Sequence, residues 1–286
     1  MFRQTLQLLR IPFSFFLLPV FLFALSQVNH IDTGRAILIF IIWHFFVYPA
    51  SNGYNSYMDR DTGPIGGIKE PPPPTPWLFK VTVGMDIASL LLSLLISPLF
   101  LLCCVAYILA SRAYSFRGIR LKRYPWAGYL TVVIFQGAVV FFATYHGSSA
   151  DLTTQVPLLP LLASSLLIGG FYPLTQIYQH DQDVRDGVRT ISYVLGYKGT
   201  FLFCALVYAA GFTILAYYFQ QLHQVKKFLR IQIFFLPVFV YFIHWFLKVR
   251  KDSGKADHPH TMRMNWLASS AANAAFGTLL IWSYCE

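Results

Sequence analysis

The chain has 286 residues, of which 56% are hydrophobic and only 12% charged, with a formal net charge of +10. A charged share this far below the roughly 25% of soluble domains excludes a soluble globular protein, because one core of this length could not hide so much apolar surface. Lipid is the natural solvent for the chain, and in a membrane protein the placement of the positive charge matters more than its total, so no nucleic-acid partner is expected.

A spanning helix needs about 20 mostly apolar residues. Reading apolar runs between polar breaks predicts nine spans, at 11–29, 36–57, 77–96, 98–115, 126–145, 157–178, 199–219, 231–248 and 266–285. The fold class expected is therefore an all-α polytopic membrane bundle. No long polar stretch interrupts it, so residues 1–286 read as one membrane domain. Arg3 and Arg10 ahead of the apolar run from Ile11 to Leu25 have the charge order of a signal peptide, but the many similar runs that follow make a retained first helix the expectation. Cys103, Cys104, Cys204 and Cys285 lie in or beside apolar runs without metal-site spacing, and read as packing residues.

With nine spans, only Arg35, Lys226, Lys227 and Arg230 of the 22 Lys and Arg residues fall on the side opposite the N-terminus. The positive-inside rule then places the N-terminus in the cytoplasm and the C-terminus outside, and the expected location is the cell inner membrane. Contact with membrane lipid follows.

The second predicted span ends SNGYNSYMDRD, residues 51–61, where Asn52, Asn55 and Asp59 are spaced i, i+3 and i+7 and share one helical face. Residues 62–76, TGPIGGIKEPPPPTP, suit a flexible turn followed by a stiff extended piece. Asp86 falls well inside the third span, where a lone charge is expensive; it either lines a pocket or is protonated or paired within the bundle. Residues 116–124, FRGIRLKRY, concentrate four basic residues, serving as a topology anchor on anionic lipid or as a ligand-holding loop. The sixth span ends QIYQHDQDVRDGVRT, residues 176–190, with Gln179, Asp183 and Gly187 at i, i+4 and i+8. Asn273 in the last span reads as a helix–helix contact.

Two polar clusters at the same ends of helices four spans apart, each with oxygen ligands on one stripe, would face one another around an oxygen-rich pocket. Hard cations take such pockets, and magnesium in particular uses one or two carboxylates and shares its other positions with substrate phosphates. Lys69, Arg120 and Lys122 come from the same side and would hold phosphate oxygens.

These residues resemble the UbiA-type intramembrane prenyltransferases, which share nine transmembrane helices and two aspartate-rich motifs. The first motif of that family, N-D-x-x-D-x-x-x-D, lies over Ser51 to Asp59, with Asn52 and Asn55 where aspartates are expected and Asp59 matching the last. The second, D-x-x-x-D followed by glycine and an (R/K)-T pair, matches Gln179 to Asp183, Gly187, Arg189 and Thr190, with Gln179 in an aspartate position. Tyr114-Ser115 and Arg120-Leu121-Lys122 are similar to the family's basic loop, and Lys69 with Pro71 to a basic-proline element after the first motif.

The resemblance implies transfer of a prenyl group from a prenyl diphosphate to a lipophilic or aromatic, quinone-precursor-like acceptor, assisted by Mg2+. It implies Asp59 and Asp183 as catalytic acids and Asn52, Asn55, Asp59, Gln179 and Asp183 as metal ligands. Tyr54, Lys69, Arg120, Lys122, Tyr178 and Arg189 are implied as substrate-binding residues. Each amide keeps a carbonyl oxygen but drops one negative charge from the metal site, and Asp61 and Asp181 are nearby acids that would compensate. The competing reading is a catalytically degenerate relative that binds or carries a lipid or quinone. A secondary transporter fits poorly, because no pair of Gly/Pro-broken helices stands in matching halves.

Overall fold

The computed structural model describes residues 2–285, with side chains through residue 283. The elements in order are α1 (Phe2–Leu9), a 3-10 turn (Ile11–Phe16), α2 (Leu18–Leu25), α3 (Thr33–Asp59), α4 (Pro76–Ser93), α5 (Pro98–Ser115) and α6 (Pro125–Ser148). The chain continues through α7 (Leu158–Gln176), the short α8 (His180–Arg185), α9 (Ile191–Gln221), α10 (Val225–Lys251) and α11 (His258–Cys285). The molecule is an all-α polytopic membrane bundle.

Among the described residues, 7 helices are long and apolar enough to cross a membrane, and the bent pair Phe2–Phe16 and Leu18–Leu25 raises this to 8. The ninth predicted span falls on α11, which has 28 residues but carries Arg263, Asn265, Ser269, Ser270 and Asn273 along its length. Those polar groups are partly absorbed by packing, as Asn273 Nδ2 donates to the Phe15 carbonyl at 3.2 Å.

The boundaries follow local chemistry. Ser97 caps α5 by accepting from the Phe100 N–H at 3.0 Å, and Pro98 occupies its first turn, so only residues 94–97 separate two full spans. The first span does not run straight: Arg10 adopts a left-handed conformation (φ 48°) and Pro12 opens the 3-10 turn, and further on the pieces Phe2–Phe16 and Leu18–Leu25 meet at 42°, with Pro19 in the first turn of α2. In α3, Pro49 cannot donate to the helix ladder, and its ring would crowd the carbonyl of Phe45. The π-helical stretch Ile42–Val47 lies immediately before it, widening the helix there and re-phasing the downstream residues 51–59. A second π-helical stretch, Val133–Val139, lies inside α6.

The helix α2 packs against both the second half of α6 and α11, joining the α3–α6 group to the α7, α9, α10 and α11 group. Small residues set the closest approaches. A Cβ on Gly137 would lie 2.5 Å from the Ser165 Cα, backbone to backbone between α6 and α7. In α9, Gly196 (φ 65°, ψ 174°) breaks the helical backbone, so the true span begins just past it, near the predicted residue 199. The thiols Cys103, Cys104 and Cys204 are free and packed among apolar neighbours, while the Cys285 side chain lies outside the described set.

Because the Gly137 contact is with backbone rather than a yielding side chain, Gly137→Ala should destabilise the bundle by about 1–3 kcal/mol. Thermal unfolding in detergent would show a lower midpoint, whereas Gly84→Ala, where a Cβ meets open space, should leave it unchanged.

Candidate active site

The two polar clusters converge on one cavity of about 210 Å³. Its wall takes Ser51, Asn52, Asn55 and Asp59 from α3 and Gln179, Asp183 and Thr190 from the segment around α8, together with Asp61, Arg10 and Lys122. All five predicted metal-ligand positions therefore line the same space, although they come from chain segments more than a hundred residues apart.

The first cluster sits on helix as expected. The helix ends at Asp59 because Arg60 takes the left-handed region (φ 55°), and this turn swings Asp61 off the helical register and into the cavity wall. The second cluster differs from the expectation of a continuous helical stripe. The span α7 stops at Gln176, Gln179 stands at the N-cap position of α8, and the Asp183 N–H bonds back to the Gln179 carbonyl at 2.8 Å. Gly187 is not on that helix; it turns the chain at φ 72°, a conformation costly for any residue with a Cβ. The Gly/Pro segment after the first motif is also more ordered than a flexible turn. Ile65 and Ile68 exchange backbone hydrogen bonds at 2.9 and 3.0 Å, and Gln179 Nε2 donates to the Pro64 carbonyl at 3.3 Å. With Ile65 and Gly66 in the cavity wall, this segment is a strap along one side of the cavity.

Charges are distributed unevenly. Asp59 is almost fully buried and pairs with Lys122 Nζ on one oxygen and Arg120 on the other, the latter at 3.5 Å. Arg120 also pairs with Asp186 and donates to its backbone carbonyl at 2.9 Å, which ties the basic loop to both motifs. Asp61 accepts from the Gln182 amide. Asp183, by contrast, has no side-chain hydrogen bond or ion pair among the described residues, and its carboxylate faces the cavity. Burial is the main influence lifting its pKa to about 7, with Asp59, Asp61 and Asp186 adding to the rise and Lys122 opposing it. Burial likewise lifts Asp61 to about 6, with Asp59 in support.

A hard cation fits this donor set in only one manner. No group of three or more His, Cys, Asp or Glu among the described residues is gathered closely enough to cage a metal. The unpartnered Asp183 carboxylate and the amide carbonyls of Asn52, Asn55 and Gln179 leave room for a cation that completes its shell with phosphate oxygens. The Asn55 orientation agrees, since its Nδ2 donates to Ser115 Oγ at 2.9 Å and leaves the carbonyl oxygen available.

The predicted substrate-binding residues divide. Lys122 lines the cavity, and Arg120 supports its wall through Asp59. Tyr178 is not among the wall residues, and its ring lies 5.0 Å from that of His258. Lys69 and Arg189 are exposed and do not reach the wall. Tyr54 turns to the other face of α3, where its ring takes the Arg112 guanidinium at 4.0 Å. Arg112 in turn binds Asp86 (Nε to Oδ2, 3.0 Å), so the intramembrane acid is paired within the bundle and does not line the pocket.

Sequence reasoning passed over three contributors. Arg10 counted only as a topology charge, yet its guanidinium reaches the Asn52 and Gly66 carbonyls at 3.4 and 3.3 Å and lines the cavity. Asp186 stood within the second motif as a spacer residue. Tyr172 and its hydroxyl partner Tyr114 form part of the wall. A separate apolar cavity of about 470 Å³ lies among α2, α7, α9, α10 and α11, with Phe23, Phe171, Phe212 and Phe276 in its wall.

The family model of the UbiA prenyltransferase family matches residues 15–267. This chain belongs to the UbiA prenyltransferase family. The solved structure of a UbiA homolog from Archaeoglobus fulgidus bound to DMAPP and Mg2+ is similar at TM-score 0.72, with 18% identity over 97% of this chain and 99% of the other. A UbiA homolog from Aeropyrum pernix K1 in its apo form matches at TM-score 0.70 and 19% identity, over 96% and 99% of the two chains. A structure of digeranylgeranylglyceryl phosphate synthase matches at TM-score 0.62 and 18% identity, over 100% and 99%. No curated protein matches by sequence. At these identities the structural likeness establishes the UbiA fold, and the sites rest on the geometry above.

Two outcomes follow for this UbiA-family chain. Replacing Asp59 by Asn strands Lys122 beside a neutral amide in a buried place, and removal of one partner from such a pair costs about 3–5 kcal/mol. Equilibrium unfolding in detergent should show that loss, and Asp59→Asn combined with Lys122→Met should recover part of it. The second concerns pH. The folded chain keeps a proton on Asp183 up to about pH 7, whereas an unfolded carboxyl releases it near 3.9. At this carboxyl the unfolded state therefore binds fewer protons between those values, so the Asp183 contribution to metal-free stability falls as pH rises through the window. Asp183→Asn should flatten that slope, measured as unfolding midpoints from pH 4 to 8.

Proposed function

We propose that this chain is an integral membrane prenyltransferase that moves a prenyl group from a prenyl diphosphate to a lipophilic or aromatic acceptor. The observation that supports this reading most directly is the single cavity in which the unpartnered Asp183 carboxylate faces Lys122, Arg10 and the amide carbonyls of Asn52, Asn55 and Gln179. Carboxylate, amide oxygens and cations in one pocket suit a metal-bound diphosphate better than either alone. Motif and cavity at the cytoplasmic face, with the N-terminus inside and the C-terminus outside in a cell inner membrane, complete the proposal.

Asp183 and the three amides would hold Mg2+, which when bound supplies neutralisation of charge on the departing diphosphate, while Asp59 stays with Lys122 and Arg120. The chain's own cations do the rest. Lys122 and Arg10 present N–H groups to phosphate oxygens in a place shielded from bulk water, where such interactions are strong. Arg120 keeps Lys122 and Asp59 in position through its pairs with Asp59 and Asp186. The bond between the allylic carbon and the diphosphate oxygen breaks with its electron pair passing to the diphosphate. The acceptor then forms a bond to that carbon and releases a proton. Faces of Tyr172 and Phe135 in the wall favour positive charge on the prenyl carbons. The strap over Ile65 and Gly66 limits water along its side of the cavity, and the apolar 470 Å³ cavity suits hydrocarbon chain.

The three amide positions favour one second reading, a lipid- or quinone-binding relative without turnover. The two separate cleanly. Purified protein in detergent with Mg2+ should bind geranyl diphosphate, and Asp183→Ala or Lys122→Ala should weaken that binding at least about tenfold, the loss of one charge-assisted contact. Binding that ignores both Mg2+ and Asp183→Ala would leave the carrier reading in place.

A further inference from the structure

The polar cavity has two ends of opposite character. Arg10, Asp59, Asp61, Lys122 and Asp183 gather at the motif end. The remainder of the wall, made by Tyr107, Ser111, Thr131, Phe135, Gln136, Tyr172, Thr175 and Gln176, holds no ionisable acid or base other than tyrosine. Tyr107 lies eight residues before Ser115 on α5, so this second end reaches about 12 Å further into the bundle.

Two of its hydroxyls are already spent on their own helices. Thr131 Oγ1 donates to the Ala127 carbonyl at 2.7 Å, and Thr175 Oγ1 donates to the Tyr172 carbonyl at 2.7 Å. Each hydroxyl proton is thus committed to its own helix, which leaves only lone pairs facing the space. The phenol of Tyr172 is taken up by Tyr114. Gln176 is 7% exposed, and its Oε1 is buried with no hydrogen-bond partner. A buried acceptor without a donor is costly, and a ligand that donates would relieve that cost. No cation stands here to accept a negative group, and an ionised ligand would lose its hydration without recompense. Both cavity-lining cations, Arg10 and Lys122, are held at the motif end by the Asn52 and Gly66 carbonyls and by Asp59.

We propose that this end binds the acceptor, and that the acceptor is an uncharged ring compound recognised through a donated hydroxyl, with Gln176 as the specificity-determining residue. The inference rests on the prenyltransferase reading for the word acceptor, but the binding preference stands on the wall chemistry alone. A phenol or hydroquinone meets the requirement: its ring lies against Tyr107, Phe135 and Tyr172, and its O–H reaches Gln176 Oε1. A carboxylate-bearing ring does not.

The test uses the full chain in nanodiscs with Mg2+ and geranyl thiolodiphosphate, which resists turnover, and titrates 4-methylphenol, 4-methylanisole and 4-hydroxybenzoate calorimetrically. The expected result is that 4-methylphenol binds about fivefold to tenfold more tightly than 4-methylanisole, the worth of one hydrogen bond to a buried acceptor, and more tightly than 4-hydroxybenzoate. Gln176→Leu should collapse the phenol-to-anisole ratio to near one while thiolodiphosphate affinity is unchanged, and Gln176→Glu, which keeps an acceptor, should retain the preference. Equal binding of phenol and anisole, tighter binding of 4-hydroxybenzoate, or an unchanged ratio in Gln176→Leu would overturn the proposal. Phenol-selective binding without any thiolodiphosphate binding would support this acceptor site and remove the prenyl-transfer reading instead.

Discussion

Asp59 and its two cations hold the candidate site together. The carboxylate is buried at the end of α3, Lys122 and Arg120 come from the loop between α5 and α6, and Arg120 continues to Asp186 beyond α8. Three chain segments with no backbone-to-backbone hydrogen bonds between them are thereby fixed at one end of the bundle. Burying these charges is costly, and mutual pairing offsets the cost only when all members are present. The network therefore acts as a unit, setting where Lys122 points and how far apart the two motifs stand.

Within that frame the amide positions take on a definite sense. A site with acids at Asn52, Asn55 and Gln179 would add three negative charges to a pocket whose remaining free carboxylate, Asp183, is already reluctant to ionise because of burial and neighbouring acids. Amides keep the carbonyl oxygens and relieve that repulsion. The cations Arg10, Lys122 and Arg120 then face four acids in or beside the wall, Asp59, Asp61, Asp183 and Asp186. The balance suits an anionic ligand that brings its own charge along with a counter-cation.

Much of this was legible in the sequence. Apolar runs located the spans from α3 to α7 to within a few residues, since lipid forces backbone groups to pair within helices and leaves little freedom, whereas α10 and α11 begin six and eight residues before the predicted starts at 231 and 266 and the first span is a bent pair. The helical spacing of Asn52, Asn55 and Asp59 and the pairing of the two polar clusters also survived, because local periodicity carries directly into a face. What the sequence left open came from breaks in periodicity. The left-handed Arg10 and Arg60, the end of α7 at Gln176 and the turn at Gly187 each redirect the chain by a backbone torsion that residue type only weakly specifies. Arg10 was invisible as a site residue for this reason, and Tyr54 fell on the wrong face because motif membership says nothing of which side of a helix a given residue occupies. Lys69 and Arg189 are solvent-facing for the same cause: nearness in sequence to a motif is not nearness to its cavity.

The π-helical stretch Ile42–Val47 divides α3 into two lengths whose faces are set independently. Upstream, residues such as Ala36 and Ile39 are committed to the bundle interior; downstream, the oxygen-bearing stripe must meet α8. An α-helix turns about 100° per residue, so the one residue accommodated by the wide turn is a rotational offset between membrane packing and chemistry. Deleting a single residue there would preserve the span, its length and its hydropathy, and yet swing Asn52, Asn55 and Asp59 about a quarter turn away from Asp183. Chain length through this stretch is consequently under tighter constraint than its apolar composition, and insertions or deletions are better tolerated at the loop on the opposite side than within the helix itself.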